Sequence, residues 1–131
     1  MKKIVVYWSG TGNTQEIAEK IANDLNVSAF SVSQITPQDA LENDLIIFGC
    51  PAMGNEELED SEFLPFYQEV LSQIGDKKVA LFGSYGWGDG EWMRNWEQEV
   101  GQNLVTNGLI VNGGLAELDL ASYDEFISKL N

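Results

Sequence analysis

Three uninterrupted apolar runs, each followed by a loop of small residues, constrain the fold of this chain most strongly. The runs are Ile4 to Trp8, Leu45 to Cys50 and Val79 to Ser84. Runs without polar alternation are typical of strands buried on both faces of a parallel sheet. Because parallel neighbours need crossover connections, we expect the amphipathic segments between the runs to be helices that cover the sheet.

Helical periodicity marks the segments between and after these runs. The longest of these helices is predicted from about Glu91 to Thr106. The apolar stripes comprise Ile17, Ala18, Ile21, Ala22 and Leu25; Phe63, Phe66, Tyr67, Val70, Leu71 and Ile74; Trp92, Trp96, Val100 and Leu104; and Tyr123, Phe126, Ile127 and Leu130.

Two weaker strands complete the pattern. Val27 to Val32 alternates apolar residues with serines and is predicted at a sheet edge, and Leu109 to Leu115 is expected to be interrupted at Asn112 to Gly114. Strands and helices alternate throughout, which predicts one α/β domain over residues 1–131 with a five-stranded parallel sheet in the order 2-1-3-4-5 and helices on both faces. Ligands of such sheets bind outside the carboxyl ends of the strands.

Composition excludes several kinds of site. The chain has no histidine and a single cysteine, so a haem, zinc or iron–sulfur centre lacks protein ligands. Cys50 cannot form an internal disulfide and is predicted to be a small buried residue. No stretch has the length of a signal-peptide core or a membrane span, so we expect a soluble, cytoplasmic protein.

The charge of the chain is strongly negative. Its 21 acidic and 7 basic side chains give a formal net charge of −14, which repels nucleic acid and anionic membranes and favours basic partners. A local acidic cluster is expected to steer such a partner electrostatically. It comprises Glu56, Glu57, Glu59, Asp60 and Glu62.

A hydroxyl-rich loop, Ser9-Gly10-Thr11-Gly12-Asn13-Thr14, links the first apolar run to the first helix. Glycines allow close backbone approach, and N–H groups at a helix N-terminus together with hydroxyls can bind a phosphate. The loop contains no Lys or Arg and has neither the Walker A pattern nor the G-x-G-x-x-G spacing. It therefore favours one terminal monophosphate. The alternative is helix capping, for which one such polar residue suffices.

Two further loops place a large apolar side chain among small residues. They are Pro51 to Glu57 and Tyr85 to Trp92. We expect Met53 and Trp87 to lie on either side of a flat heterocycle. Burial in the core is the alternative, and it is the favoured interpretation for Trp92 and Trp96, which have helical spacing. Trp8 is intermediate between these cases.

Together these loops resemble those of the flavodoxins, specifically the short-chain FMN flavodoxins of anaerobic bacteria. The resemblance covers essentially the whole chain and rests on Tyr7 to Thr14, Gly49 to Gly54 and Gly83 to Gly90. It implies a flavodoxin-like three-layer sandwich and a low-potential one-electron carrier whose non-covalent FMN cycles between semiquinone and hydroquinone. It also implies a monomer without its own substrate, which docks basic redox proteins through the acidic edge around FMN.

The resemblance also assigns roles to residues. Ser9, Thr11, Asn13 and Thr14 match the residues that bind the FMN phosphate, with Ser84 close by and Trp8 a candidate neighbour of the phosphate and ribityl chain. Met53 matches the cover of the inner ring face, Trp87 that of the outer face, Glu56 the acceptor for flavin N3, and Gly54 the carbonyl that meets the N5 proton. The family commonly has Asp after Gly54, where this chain has Asn55. The complete set of expected contacts adds Gly10, Gly12, Pro51, Ala52, Asn55, Tyr85, Gly86, Gly88 and Asp89; no catalytic or metal-binding residue is expected.

The amino-acid sequence leaves two other functions as alternatives. One is a flavin enzyme, such as a quinone reductase or a flavoprotein that activates ribonucleotide reductase, although no segment remains to bind NAD(P)H. The other is a receiver domain, which shares the strand order 2-1-3-4-5 but needs acidic residues where this chain has Trp8, Ser9 and Cys50.

Overall fold

In a computed structural model, the chain is described over residues 1–54 and 56–131. Strands and helices alternate as expected. The strands are β1 Lys3–Tyr7, β2 Ala29–Ser31, β3 Leu45–Gly49, β4 Lys78–Tyr85 and β5 Leu109–Asn112. The helices are α1 Asn13–Leu25, α2 Pro37–Leu41, α3 Phe63–Ser72, α4 Glu91–Val100 and α5 Leu120–Ser128, with 3₁₀ turns at Gly101–Asn103 and Leu115–Glu117.

The five strands form one parallel sheet in the order β2-β1-β3-β4-β5, which confirms the predicted topology. The weak strand β2 lies at the edge, as its alternating pattern indicated. Because all strands run the same way, the loops after β1, β3, β4 and β5 leave from one edge of the sheet.

Each face of the sheet carries its own apolar core, since successive strand residues point to opposite faces. On one face, Phe48 of β3 packs with the aromatic side chains of α3 and α4. On the other face, Val5 and Phe82 pack with α1 and α5. Trp92 and Trp96 are each only 2% exposed, which confirms their assignment to the core.

The structure differs from the sequence prediction at the end of α4, in the presence of α2, at the end of β5 and in the shorter extent of β2. The predicted helix to Thr106 is too long, because Gly101 takes a φ of 67° and ends α4 at Val100 before a short 3₁₀ turn. Helix α2 was not predicted; it has only five residues and starts at a capping box formed by Thr36 and Asp39. Strand β5 ends at Asn112, where the predicted interruption begins.

Within the part of the chain that the structure describes, no helix has both the length and the apolar character needed to cross a membrane. Cys50 is fully buried, as predicted, and burial raises the pKa of its thiol to about 12. A thiol with so high a pKa stays protonated at neutral pH, so Cys50 acts as a small apolar residue.

Candidate functional site

The loops after β1, β3 and β4 converge on a cavity of about 300 Å³ at the carboxyl edge of the sheet. Most of its lining was predicted from the three loop motifs. Gly113, which follows β5, was not predicted as part of the lining. The expected break in β5 could have indicated it, because that break falls at the same edge of the sheet. The lining residues are Trp8, Gly10, Thr11, Asn13, Pro51, Ala52, Met53, Ser84, Tyr85, Gly86 and Gly113.

The loop after β1 presents unused hydrogen-bond donors at the start of α1. Gly12, the residue that precedes α1, takes a φ of 99° and, as a glycine, has no side chain of its own to cap the helix. The Ser9 hydroxyl accepts from the N–H of Gly12 at 3.0 Å and of Gln15 at 3.3 Å, so the helix-capping alternative holds for this residue. The N–H groups of Asn13 and Thr14 find no acceptor among the described residues. An anion here would meet these donors and the positive end of the helix dipole.

Two buried hydroxyls lie beneath this loop. Thr14 on α1 and Ser84 on β4 are 1% and 5% exposed, and their hydroxyl oxygens are 3.0 Å apart. One hydrogen bond between two hydroxyls uses only one of the two O–H donors. The other O–H has no acceptor among the described residues. Of the two residues only Ser84 lines the cavity, and the pair fixes the start of α1 against β4.

Met53 and Trp87 both project outward from the core. Met53 is 37% exposed and lines the cavity, whereas Trp87 is 64% exposed and lies outside the lining. The alternative that these side chains are buried in the core is therefore wrong. Gly88 and Asp89 likewise lie outside the cavity lining, on the exposed stretch around Trp87.

Glu56 takes a strained position at the rim of the site. Its φ of 53° is unusual for a residue with a side chain, and its Oε1 is buried with no hydrogen-bond partner among the described residues. The carboxylate lies against Gly88, where an added Cβ would come within 2.4 Å of Oε1. An unsatisfied buried acceptor is costly and calls for a donor.

The turn that precedes Glu56 is closed by backbone hydrogen bonds on either side of it. Met53 O accepts from Glu56 N at 2.8 Å, and Met53 N donates to Glu57 O at 2.9 Å. Gly54 is exposed, and a Cβ added there would meet nothing within 4 Å. The predicted contact at Asn55 lies outside the described residues.

Negative charge accumulates where the loops after β3 and β4 meet. Carboxylate oxygens of Glu56, Asp89 and Glu91 lie within 4.8 Å of one another. One cation was not anticipated from the loop sequences: Arg94, one turn into α4, approaches Asp89 with Nη2 at 3.1 Å from Oδ1. Both side chains of that pair are well exposed, so the pair offsets the local charge only weakly.

The acidic cluster is not uniformly a surface feature. Glu59 is only 6% exposed, so its expected place in the docking surface is wrong. Its carboxylate accepts hydrogen bonds from Ser61 N and Oγ and from the N–H groups of Glu62 and Phe63 at the start of α3. Burial opposes ionisation, but these hydrogen bonds outweigh it and lower the pKa of Glu59. Glu57, Asp60 and Glu62 remain exposed.

Comparison with known proteins places this geometry in a family. The family model described as Flavodoxin matches residues 5–126. The chain is 47% identical to a flavodoxin of Clostridium beijerinckii over 96% of both chains, and 46% identical to one of Megasphaera elsdenii over 73% of this chain and 74% of that one. A solution structure of two-electron reduced M. elsdenii flavodoxin superposes with a TM-score of 0.85 at 36% identity, covering 98% of this chain and 99% of that one.

Proposed function

The chain belongs to the flavodoxin family, whose members are FMN-bound electron carriers, and we propose that it works at low potential and has no substrate of its own. Residues 1–131 would form one FMN-binding domain. Bound FMN supplies the redox chemistry, since its ring system accepts and releases single electrons. The observation that carries the proposal is the start of α1, where two N–H groups have no acceptor among the described residues and the preceding loop has no Lys or Arg.

The phosphate-binding role of this loop is supported by the kind of donors it offers. Asn13 and Thr14 provide backbone N–H groups, the Thr14 and Ser84 pair has one O–H without an acceptor among the described residues, and Thr11 lines the cavity. Helix dipole and neutral donors suit a phosphate that is bound permanently and never transferred. A nucleotide hydrolase would need a cation on the phosphates, which this loop does not contain.

We assign the ring to the space bounded by the loops after β3 and β4. Met53 lines the cavity and would contact one ring face, and the exposed Trp87 is free to cover the other. Glu56 Oε1, which has no partner among the described residues, would accept a hydrogen bond from a ring N–H, and this bond would offset the cost of its burial. The carbonyl of Gly54 can serve as an acceptor at the ring edge, because the bonds that close its turn are made by Met53, Glu56 and Glu57.

The surrounding carboxylates favour a low potential. Glu56, Asp89 and Glu91 converge beside the ring space, and the phosphate loop contributes no positive side chain. These carboxylates would repel the negative charge that FMN gains on reduction, and this repulsion would lower the reduction potential. Two or three partly screened repulsions of this kind correspond to a shift on the order of 100 mV.

The exposed acidic residues define the partners. Glu57, Asp60 and Glu62 lie on the loop between β3 and α3, and with the net charge of −14 they favour docking of basic-surfaced redox proteins onto a monomer in the cytoplasm. The interior position of Glu59 removes one charge from this surface.

Stepwise reduction of the purified, FMN-loaded protein under anaerobic conditions tests the proposal. We expect FMN to bind non-covalently and to be reduced in two separate one-electron steps, the second at the lower potential. Failure to bind FMN, or steady-state NAD(P)H oxidation without an added reductase, would contradict the carrier and favour a flavin enzyme.

A further inference from the structure

The indole of Trp8 is restrained at two points beside the phosphate loop. Its Nε1 donates to Glu62 Oε1 at 3.1 Å, across 54 positions of sequence. Its six-membered ring lies over Gly10, where an added Cβ would be 3.0 Å from Cη2 and 3.3 Å from Cζ3. Trp8 also forms part of the cavity wall. The orientation of this ring therefore affects both the shape of the cavity and the backbone of the phosphate loop.

Glu62 is well placed to fix that orientation. Its own N–H donates to the buried carboxylate of Glu59 at 2.8 Å, which ties its backbone to the start of α3. Its side chain is exposed and makes no cap bond to that helix. The hydrogen bond to Trp8 is thus what this side chain contributes to the described structure.

We propose that Glu62 is a positioning residue for cofactor binding, because its carboxylate orients the Trp8 indole against Gly10 and so preorganises the phosphate loop. The inference rests on the proposed function, since it concerns the same phosphate site. Without Glu62, Trp8 regains rotation about two side-chain torsions, and that freedom is lost again when the ligand binds.

The sign of the effect separates positioning from simple electrostatics. Glu62 is an anion beside a site for an anion, so an electrostatic role alone predicts that its removal strengthens FMN binding. Positioning predicts the opposite. Glutamine keeps an acceptor oxygen without the charge, so Glu62→Gln should bind FMN at least as tightly as the unsubstituted protein.

A double-mutant cycle on the full chain provides the test, with FMN dissociation constants measured by quenching of flavin fluorescence. We expect Glu62→Ala to weaken binding about three- to tenfold, the range for one hydrogen bond of ordinary strength, because the bond from Trp8 to Glu62 is exposed to solvent. In the Trp8→Phe background, which keeps a ring but has no N–H donor, Glu62→Ala should change binding less than about twofold. Asp60→Ala is the matched control, because it removes an exposed neighbouring charge that makes no side-chain hydrogen bond among the described residues.

Tighter binding in Glu62→Ala, or an equal loss with and without the Trp8 N–H, would overturn the positioning role. Thermal unfolding of the FMN-free variants should be nearly unchanged; a large destabilisation by Glu62→Ala that Glu62→Gln does not repair would also overturn it. If the unsubstituted protein failed to bind FMN, the proposed function itself would fail. Binding without coupling would defeat only this inference.

Discussion

Replacing Glu59 with glutamine would remove one acceptor oxygen from a carboxylate that accepts four hydrogen bonds. Glu59 Oε1 accepts from Glu62 N and Phe63 N, each at 2.8 Å, and Oε2 accepts from Ser61 N at 2.9 Å and from the Ser61 hydroxyl. Whichever way the amide is oriented, its NH₂ group faces at least one backbone N–H. That N–H loses its partner, and the two remaining backbone bonds lose their charge. Together these losses amount to roughly 3 kcal/mol.

The cost of Glu59→Gln should depend on pH in a defined direction. The pKa of Glu59 is lower in the folded chain than the value of about 4.3 expected when unfolded. Its stabilisation is therefore complete above that unfolded value and is lost as the pH falls through the folded value. The difference in unfolding free energy between the two proteins should be constant near pH 7 and should shrink as the pH falls below about 4.

Urea unfolding of the FMN-free proteins, followed by circular dichroism at several pH values, measures this difference. Glu57→Gln is the control, because it removes the same charge from an exposed neighbour that makes no side-chain hydrogen bond among the described residues. We expect the control to change stability by less than about 0.5 kcal/mol. The argument would be refuted if Glu59→Gln resembled the control at pH 7, or if its cost were the same at pH 3 and pH 7.

Two further predictions concern the cofactor and the partner. Trp87→Ala should weaken FMN binding about tenfold, whereas Trp87→Phe should retain most of the affinity, because the exposed indole offers an aromatic face to the ring. Equal dissociation constants for the two variants and the unsubstituted protein would show that Trp87 does not cover the ring. Raising the ionic strength from about 0.01 to 0.15 M shortens the screening length from about 30 to 8 Å and should slow electron transfer to a basic partner by about tenfold, as stopped-flow measurements would show. A rate indifferent to salt would remove the docking argument.

The sheet could be predicted because the hydrophobic pattern of each strand indicates both that it is a strand and where it lies in the sheet. The runs that became β3 and β4 are apolar on both faces, so they could occupy only the sheet interior, and β2, with its serines, could occupy only an edge. The one missed helix, α2, has too few residues to show a period. Its signal was local: Thr36 and Asp39 around Pro37 form a capping box.

The candidate site was predictable in its loops but not in its side-chain geometry. Glu59 belongs to an acidic run, and no sequence pattern distinguishes a carboxylate that turns inward to cap α3 from one that faces solvent. Arg94 was missed because it lies on α4 and reaches back to Asp89 only once the helix has made a turn. The bond from Trp8 to Glu62 joins residues 54 positions apart, so it depends on how the fold brings the residue after β1 close to the residue before α3.

The absence of Lys and Arg from the loop between β1 and α1 bears on how the protein can be handled. With a formal charge of −14 the protein should be retained strongly on an anion exchanger and eluted only by concentrated salt. Salt weakens ion pairs, but at this phosphate there is no cationic side chain of the loop to screen. The same salt also screens the repulsion between the acidic chain and the FMN phosphate. We therefore expect concentrated salt to dissociate bound partner proteins while FMN stays bound, so that the eluted protein is still yellow.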